Sequence, residues 1–242
     1  MTRSLFERYM GRALLLDTQY RMQEDICKFP SEAYYQDKLK TEVDERTSML
    51  HAKTETMTQS KHILFGDIRG EEISLVVSTA RGNENSKANI AEVKKAVEIC
   101  TQLISVGEVR PEDIAILSPY NAQVALIKEK FKERHQPEKI TVTTITKSQG
   151  SEWRYVILSM VRSCPSEEIE PMPPREWLSK HIGFVGDENQ INVGITRAQD
   201  GLCILGNQEL LNCSPAWRKL LKHYSSCGSV VLADQIVVPD VC

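Results

Sequence analysis

The run Leu202-Cys203-Ile204-Leu205, closed by Gly206, constrains the chain more than any other stretch. Four successive apolar residues without polar alternation suit a strand covered on both faces, and such strands belong to parallel sheets. The residues just ahead, Asn192 to Ala198, predict a short polar helix ending in Thr196-Arg197-Ala198. The same alternation recurs along the chain. Asn89 to Val106 has apolar residues at helical intervals, Ile114 to Leu117 is a strand, and Asn121 to Arg134 is a helix. Ile140 to Thr144 and Tyr155 to Val161 are further strands. Strands alternating with helices imply right-handed crossovers. The expected fold class is therefore α/β, with a mostly parallel central sheet flanked by helices.

The remaining segments are less regular. Residues 3–10 predict one or two helical turns that end at Gly11, and Ala13 to Leu16 a short strand. Gln23 to Phe29 has helical spacing, which Pro30 is expected to stop before a helix restarts at Ser31. Residues 40–60 are polar and aperiodic and predict a long, mobile loop. His62 to Phe65 and Ile73 to Ser78 predict strands, and Arg81 to Lys87 a loop. Four prolines between Cys164 and Pro174 predict an extended connection. Trp177 to Ile182 predicts a short helix, and Glu209 to Leu211 and Trp217 to Tyr224 predict closing helices. A chain of 242 residues without internal repeats is read as one domain over 1–242, its core at about 4–207 and closing helices and tail at 208–242.

Composition removes several function classes. A net charge of −3 gives no whole-domain basic field, so nucleic acid would have to bind in a local groove. No apolar run approaches the ~20 residues that span a membrane, and residues 1–10 lack the apolar core of a secretory signal. Seven scattered cysteines without a Cys-x-x-Cys pair point to a reduced intracellular compartment, nucleus or cytoplasm, and to no zinc site.

Several polar stretches offer chemistry. Arg197 stands just before a buried strand, near the sheet edge where ligands of α/β folds gather, and is a candidate phosphate contact. Ser118-Pro119-Tyr120 opens a helix, whose free N–H groups and dipole favour an anion, with Ser118 as a plain N-cap the competing reading. Thr144 to Glu152 gathers hydroxyls, the Gln149 amide, the Glu152 carboxylate and Gly150, which permits close backbone approach. Glu152 is suited to accept from ribose hydroxyls. In Gln19-Tyr20-Arg21 a ring suited to stack on a base adjoins a fork-shaped cation suited to a phosphate.

Taken in order, these stretches resemble a known pattern. Gln19-Tyr20-Arg21-Met22 with Phe29-Pro30 and Tyr34-Tyr35, then Ser86-x-x-Asn89-x-x-Glu92, Ser118-Pro119-Tyr120-x-x-Gln123, Gln149-Gly150-x-Glu152 and Asn192-Val193-x-x-Thr196-Arg197-Ala198 are similar to the second RecA-like domain of Upf-like superfamily 1 helicases. The resemblance covers residues 4–207. Gly183 to Val193, with Trp177 ahead and Pro215-x-Trp217 behind, resembles the helicase-with-zinc-finger branch.

The resemblance implies roles. Tyr20 would stack on adenine, with Gln19 beside it, and Arg21 and Arg197 would reach the γ-phosphate, Arg197 as arginine finger. Gly150 and Glu152 would flank the γ-phosphate and ribose. Ser118, Pro119 and Tyr120 would contact the nucleic-acid backbone, and Thr144 and Gln149 would link the two sites. The implied ligands are ATP with Mg²⁺, the implied partners a first RecA-like domain, single-stranded RNA or DNA and transcription factors, with no membrane. Two departures stand out: Asn189-Gln190 replaces two arginines frequent in the family, and Thr146 replaces an acidic residue. The chain has no Gly-x-x-x-x-Gly-Lys-Ser/Thr loop and no convincing magnesium pair, so half a composite ATP site is expected, inactive alone. The alternative is a degenerate helicase half serving as scaffold or binding module for transcription or RNA-decay factors. A dinucleotide enzyme would need Gly-x-Gly-x-x-Gly, which is lacking.

Overall fold

The computed structural model describes residues 14–53, 57–79, 82–134, 139–170 and 172–239. The turns expected at 3–10 lie outside these residues. In chain order the described elements are β1 (Thr18–Gln19), α1 (Glu24–Tyr34), β2 (Lys40–Thr41), β3 (His51–Lys53), β4 (Thr58–Ser60), β5 (Ile63–Asp67), β6 (Glu72–Thr79) and β7 (Gly82–Asn89). They continue with α2 (Ile90–Ser105), β8 (Ile114–Ser118), α3 (Asn121–Glu133), β9 (Thr141–Thr144), β10 (Trp153–Ser159), α4 (Arg175–His181), α5 (Glu188–Ile195), β11 (Ala198–Gly206), α6 (Gln208–Leu211), α7 (Pro215–Ser226), β12 (Val230–Leu232) and β13 (Ile236–Val237).

A six-stranded sheet in the order β12-β5-β11-β10-β8-β9 forms the centre, and all its pairings are parallel. Side chains alternate across it as a pleat requires. Phe65, Leu117, Val156, Leu158, Leu202 and Ile204 face a layer containing Ile26, Phe29, Ile191, Trp217 and Tyr224 from α1, α5 and α7. Leu64, Ile116, Ile157, Cys203 and Leu205 face Val93, Val97, Ile99, Ile127 and Phe131 from α2 and α3. Both faces are buried, which explains why these strands read as continuous apolar runs. The architecture is an α/β sandwich of helices around a parallel sheet.

Four expectations are corrected. Leu14 and Leu16 are 95% and 88% exposed and belong to no strand; β1 starts at Thr18 and pairs with β2 instead. An apolar run does not make a strand without a neighbour to pair with. Pro30 does not break α1, which runs through it. The lost N–H removes one bond, and the burial of Ile26, Phe29 and Pro30 outweighs it. The segment 40–60 is not one long loop. It carries β2, β3 and β4, and β3 joins β4 and β13 in a small antiparallel sheet. Leu50 and Ala52 are its buried anchors. Residues 82–87 are not a loop but part of β7, which pairs with β6 from Glu72↔Asn89 to Thr79↔Gly82. Their side chains are mostly exposed, so the backbone ladder carries this hairpin and leaves no apolar period to read.

The end of the chain is structural. Trp217, Leu220 and Tyr224 sit in the core, and β12 pairs with β5 at the sheet edge. The core therefore extends beyond residue 207.

Candidate functional site

At the amino ends of β10 and β11, three sequence stretches converge: 19–22, 150–152 and 193–199. Gln19 builds the first support. Its Oε1 accepts the N–H groups of Arg21 (2.9 Å) and Met22 (2.8 Å), and its Nε2 donates to the Met22 carbonyl (2.8 Å) and to Thr41 Oγ1 (2.7 Å). The amide is fully used in fixing the turn that presents Tyr20 and Arg21. Tyr20 is 70% exposed, an unusual state for a tyrosine and a bare face for stacking.

Arg21 reaches across to the sheet. Its Nε donates to Glu152 Oε2 and its Nη1 to the Thr196 carbonyl at 3.0 Å. Glu152 Oε1 accepts from Gln199 Nε2 at 2.9 Å. The hydrogen bond from Arg21, supported by Gln199 and the nearby charge of Arg197, holds the Glu152 carboxyl below the usual carboxylate range. Gly150 has φ +86°, a left-handed conformation, and open space where a Cβ would stand, so glycine is needed there for backbone angle rather than for room.

Arg197 is half-buried at the junction of α5 and β11. Its Nε donates to the Val193 carbonyl (2.9 Å), Nη1 to the Ser151 carbonyl (3.1 Å) and Nη2 to Thr196 Oγ1 (2.8 Å). Burial, and then the charge of Arg21, push its guanidinium below the usual arginine value; it remains a cation. Thr196 thus bonds both arginines, Arg21 through its carbonyl and Arg197 through its hydroxyl, which concentrates positive charge at one point. Arg197 lies at the amino end of an interior strand, not at the carboxyl ends where open α/β sheets gather ligands.

Ser118, Pro119, Tyr120 and Thr144 lie at the opposite pole, where β8 and β9 end side by side with Ser118 paired to Thr144. Ser118 is fully buried and its Oγ accepts the Tyr120 N–H at 3.3 Å. Tyr120 is buried as well, its ring 4.8 Å from that of Phe184. Ser118 does not cap α3. That bond comes from Ser86 of the hairpin, whose Oγ accepts the Ala122 N–H at 3.1 Å, a cap distant in sequence and invisible to a local reading. The segment 145–152 runs between the two poles alongside α5, with Thr146 bonded to Gln190 near one end and Ser151 to Arg197 near the other. Gln149 is exposed on it.

The Ser86-x-x-Asn89-x-x-Glu92 motif builds the carboxyl pole. Glu92 is fully buried and accepts from Ser159 Oγ (2.6 Å) and from the Val161 N–H (2.9 and 3.0 Å to its two oxygens). Gln123 Nε2 donates to Ser159 Oγ at 2.7 Å, and Gln123 Oε1 accepts the Asn89 N–H at 2.9 Å. Val161 is held at φ +73°, strained for a β-branched residue. Burial pushes the Glu92 carboxyl up to about 8, against the lowering effect of its hydrogen bonds.

Sequence reasoning missed Gln199, which brackets Glu152, and Asp200, a fully buried carboxylate between Arg154 (2.7 Å) and Arg46 (2.9 Å). The dense run of site residues around them was the available signal. Among the described residues no three His, Cys, Asp or Glu side chains group to hold a metal ion. Among the described residues no helix is long and apolar enough to cross a membrane.

The chain is 50% identical over 238 residues to the 3'-5' exoribonuclease HELZ2 of Mus musculus, a match covering 98% of this chain and 8% of that protein. The human HELZ2 is 49% identical with the same coverage. The ATP-dependent helicase NAM7 of Saccharomyces cerevisiae is 31% identical over 96% of this chain and 23% of its own length. The chain thus spans a small fraction of each of these relatives. The family model described as an AAA domain matches residues 1–209. The chain belongs to that AAA domain family, as a helicase-family domain of the Upf-like group and of its C-terminal RecA-like kind.

Proposed function

We propose that this domain is the C-terminal half of an ATP-dependent helicase motor and supplies one wall of a composite ATP site. The observation that carries the reading is the pair of guanidinium groups of Arg21 and Arg197, both bonded to Thr196 and set beside the exposed ring of Tyr20. Tyr20 stacks on the base. Arg21 and Arg197 neutralise charge that spreads over the phosphoryl oxygens during transfer. To reach a phosphate, Arg197 exchanges bonds to neutral acceptors, the Ser151 carbonyl and Thr196 hydroxyl, for charge-assisted ones. When Arg21 turns to the phosphate it releases Glu152, whose carboxylate then accepts from ribose hydroxyls. The phosphate loop and the magnesium ligands come from a first RecA-like domain, so the isolated chain is expected to show no turnover. Single-stranded RNA or DNA crosses the pole of Ser118, Pro119 and Tyr120. With both side chains of Ser118 and Tyr120 buried, the contacts fall to backbone groups and are sequence-tolerant.

The test is hydrolysis by the parent polypeptide. Arg197→Ala is expected to lower turnover by about 10³-fold or more, as loss of a finger does, with nucleotide-free strand binding near normal. Arg197→Lys restores little, because an ammonium lacks the planar fork. A thermal melt checks folding. Near-normal turnover of well-folded Arg197→Ala overturns the motor reading. It would favour a second one, a degenerate half used as a scaffold, for which the observation is that all three Arg197 nitrogens already donate within the domain.

A further inference from the structure

Beside Tyr20 lies an open cavity of about 430 Å³ lined by Tyr20, Glu42, Val43, Asp44 and Arg46. Its size falls in the range of small-ligand pockets. Its outer wall is the stretch that the sequence predicts to be a mobile loop, yet three bonds fix it. The Glu42 N–H donates to the Gln19 carbonyl at 3.0 Å, Gln23 Nε2 donates to the Asp44 carbonyl at 2.9 Å, and Arg46 Nη1 lies 2.9 Å from the buried Asp200 carboxylate. The first and second bonds tie the wall to the same turn that presents Tyr20. The third turns the Arg46 charge toward Asp200. The side chains of Glu42 and Asp44 are exposed, and no described residue donates a hydrogen bond to either carboxylate.

We propose that residues 42–46 form the wall of a base pocket, and that the carboxylates of Glu42 and Asp44 select a base with an exocyclic amino group over one with a carbonyl at that position. The inference rests on the nucleotide reading of the Tyr20 site and adds its base specificity. An ionised carboxylate only accepts hydrogen bonds. Facing the amino group of a base stacked on Tyr20, it gains a charge-assisted bond. Facing a carbonyl, it meets a second acceptor and both lose water without compensation. The arrangement also segregates charge along the ligand, with acids at the base end and Arg21 and Arg197 at the phosphate end.

The experiment measures displacement of a fluorescent ATP analogue from the parent polypeptide by ATP and by ITP, purine nucleotides that carry an amino group and a carbonyl at the 6-position. The wild type is expected to prefer ATP. The double variant Glu42→Gln with Asp44→Asn is expected to lower the ATP-to-ITP preference by up to about tenfold, one charge-assisted bond at an open site, because an amide donates to a carbonyl as well as it accepts. Both residues are exposed, so the variant should melt with the wild type. Tyr20→Ala should weaken both nucleotides alike. If Tyr20→Ala weakens both and the double variant keeps the wild-type ratio, the carboxylate wall is overturned and the nucleotide site stands. If Tyr20→Ala changes neither, or no nucleotide displaces the analogue, the nucleotide reading and this inference fall together.

Discussion

At the amino ends of β10 and β11, Arg21 and Glu152 pair with 29% and 43% of their side chains exposed. At the carboxyl end of β10, Glu92 accepts from Ser159 and Val161 with none of its surface exposed. Both clusters stem from motif residues and both centre on a glutamate. Solvent separates them. The exposed pair can exchange partners with an arriving anion at little cost, since water screens the charges and rehydrates whatever is released. The buried cluster cannot open without leaving polar groups unpaired in a dry interior. The amino pole is arranged to trade bonds and the carboxyl pole to hold a strained turn still.

The contrast can be broken by substitutions. The largest stability effect is expected at the carboxyl pole. Glu92→Ala strands the Ser159 hydroxyl and the Val161 N–H and opens a cavity, for a loss of about 2–4 kcal/mol in denaturant unfolding. A loss below 1 kcal/mol would mean that the network is not what holds this end.

The second test is pH. The folded-state pKa of Glu92, about 8, lies above its ordinary 4.5, so the folded state keeps the proton longer than the unfolded one. The resulting stability is fully present below about 4.5 and is lost as pH rises to about 8. Glu92→Gln removes this dependence. Unfolding midpoints of wild type and variant should therefore diverge between these limits, the wild type losing ground with rising pH. Parallel profiles would refute the assignment.

Smaller effects belong to the amino pole. Gly150→Ala meets no steric obstacle but forces a side chain into the left-handed region, a cost of about 1 kcal/mol seen in the melt. The Arg21–Glu152 pair should matter least for stability. After screening it contributes about 0–1 kcal/mol, so Glu152→Gln should leave the melting temperature almost unchanged. Its nucleotide affinity should fall clearly. A melt shift as large as that of Glu92→Ala would erase the distinction between the poles.

Much of the fold was legible because the central strands are buried on both faces. Runs such as Ile114–Leu117 and Leu202–Leu205 have one outcome in a chain with intervening helices, and the strand ends fall within a few residues of expectation. The hairpin β6–β7 and the small sheet of β3, β4 and β13 were not legible, because backbone pairing at a surface imposes no apolar period. The candidate site residues were legible as residue types at spacings, and so in part was their sorting: Ser118 follows its strand and Arg197 precedes its own, which in a parallel sheet sends them to opposite poles. That Ser118 lies under the surface was not legible. Nor does sequence show that Ser86 caps α3 or that Gln199 holds Glu152, since both bonds join segments distant along the chain.

The pairing of β12 with β5 has a consequence for biosynthesis. β5 is made early, yet its outer edge finds its partner only when Val230 to Leu232 leave the ribosome. Until then the strand carries a row of unclaimed N–H and C=O groups next to apolar Phe65 and Leu64, the template on which unrelated nascent chains add. A ribosome that stalls or terminates near residue 210 would release a product with nearly every motif in place, but with an unpaired strand edge and a core face that lacks Trp217, Leu220 and Tyr224. Such a product should be recovered with chaperones or in the pellet, while a polypeptide extended through β13 stays in solution.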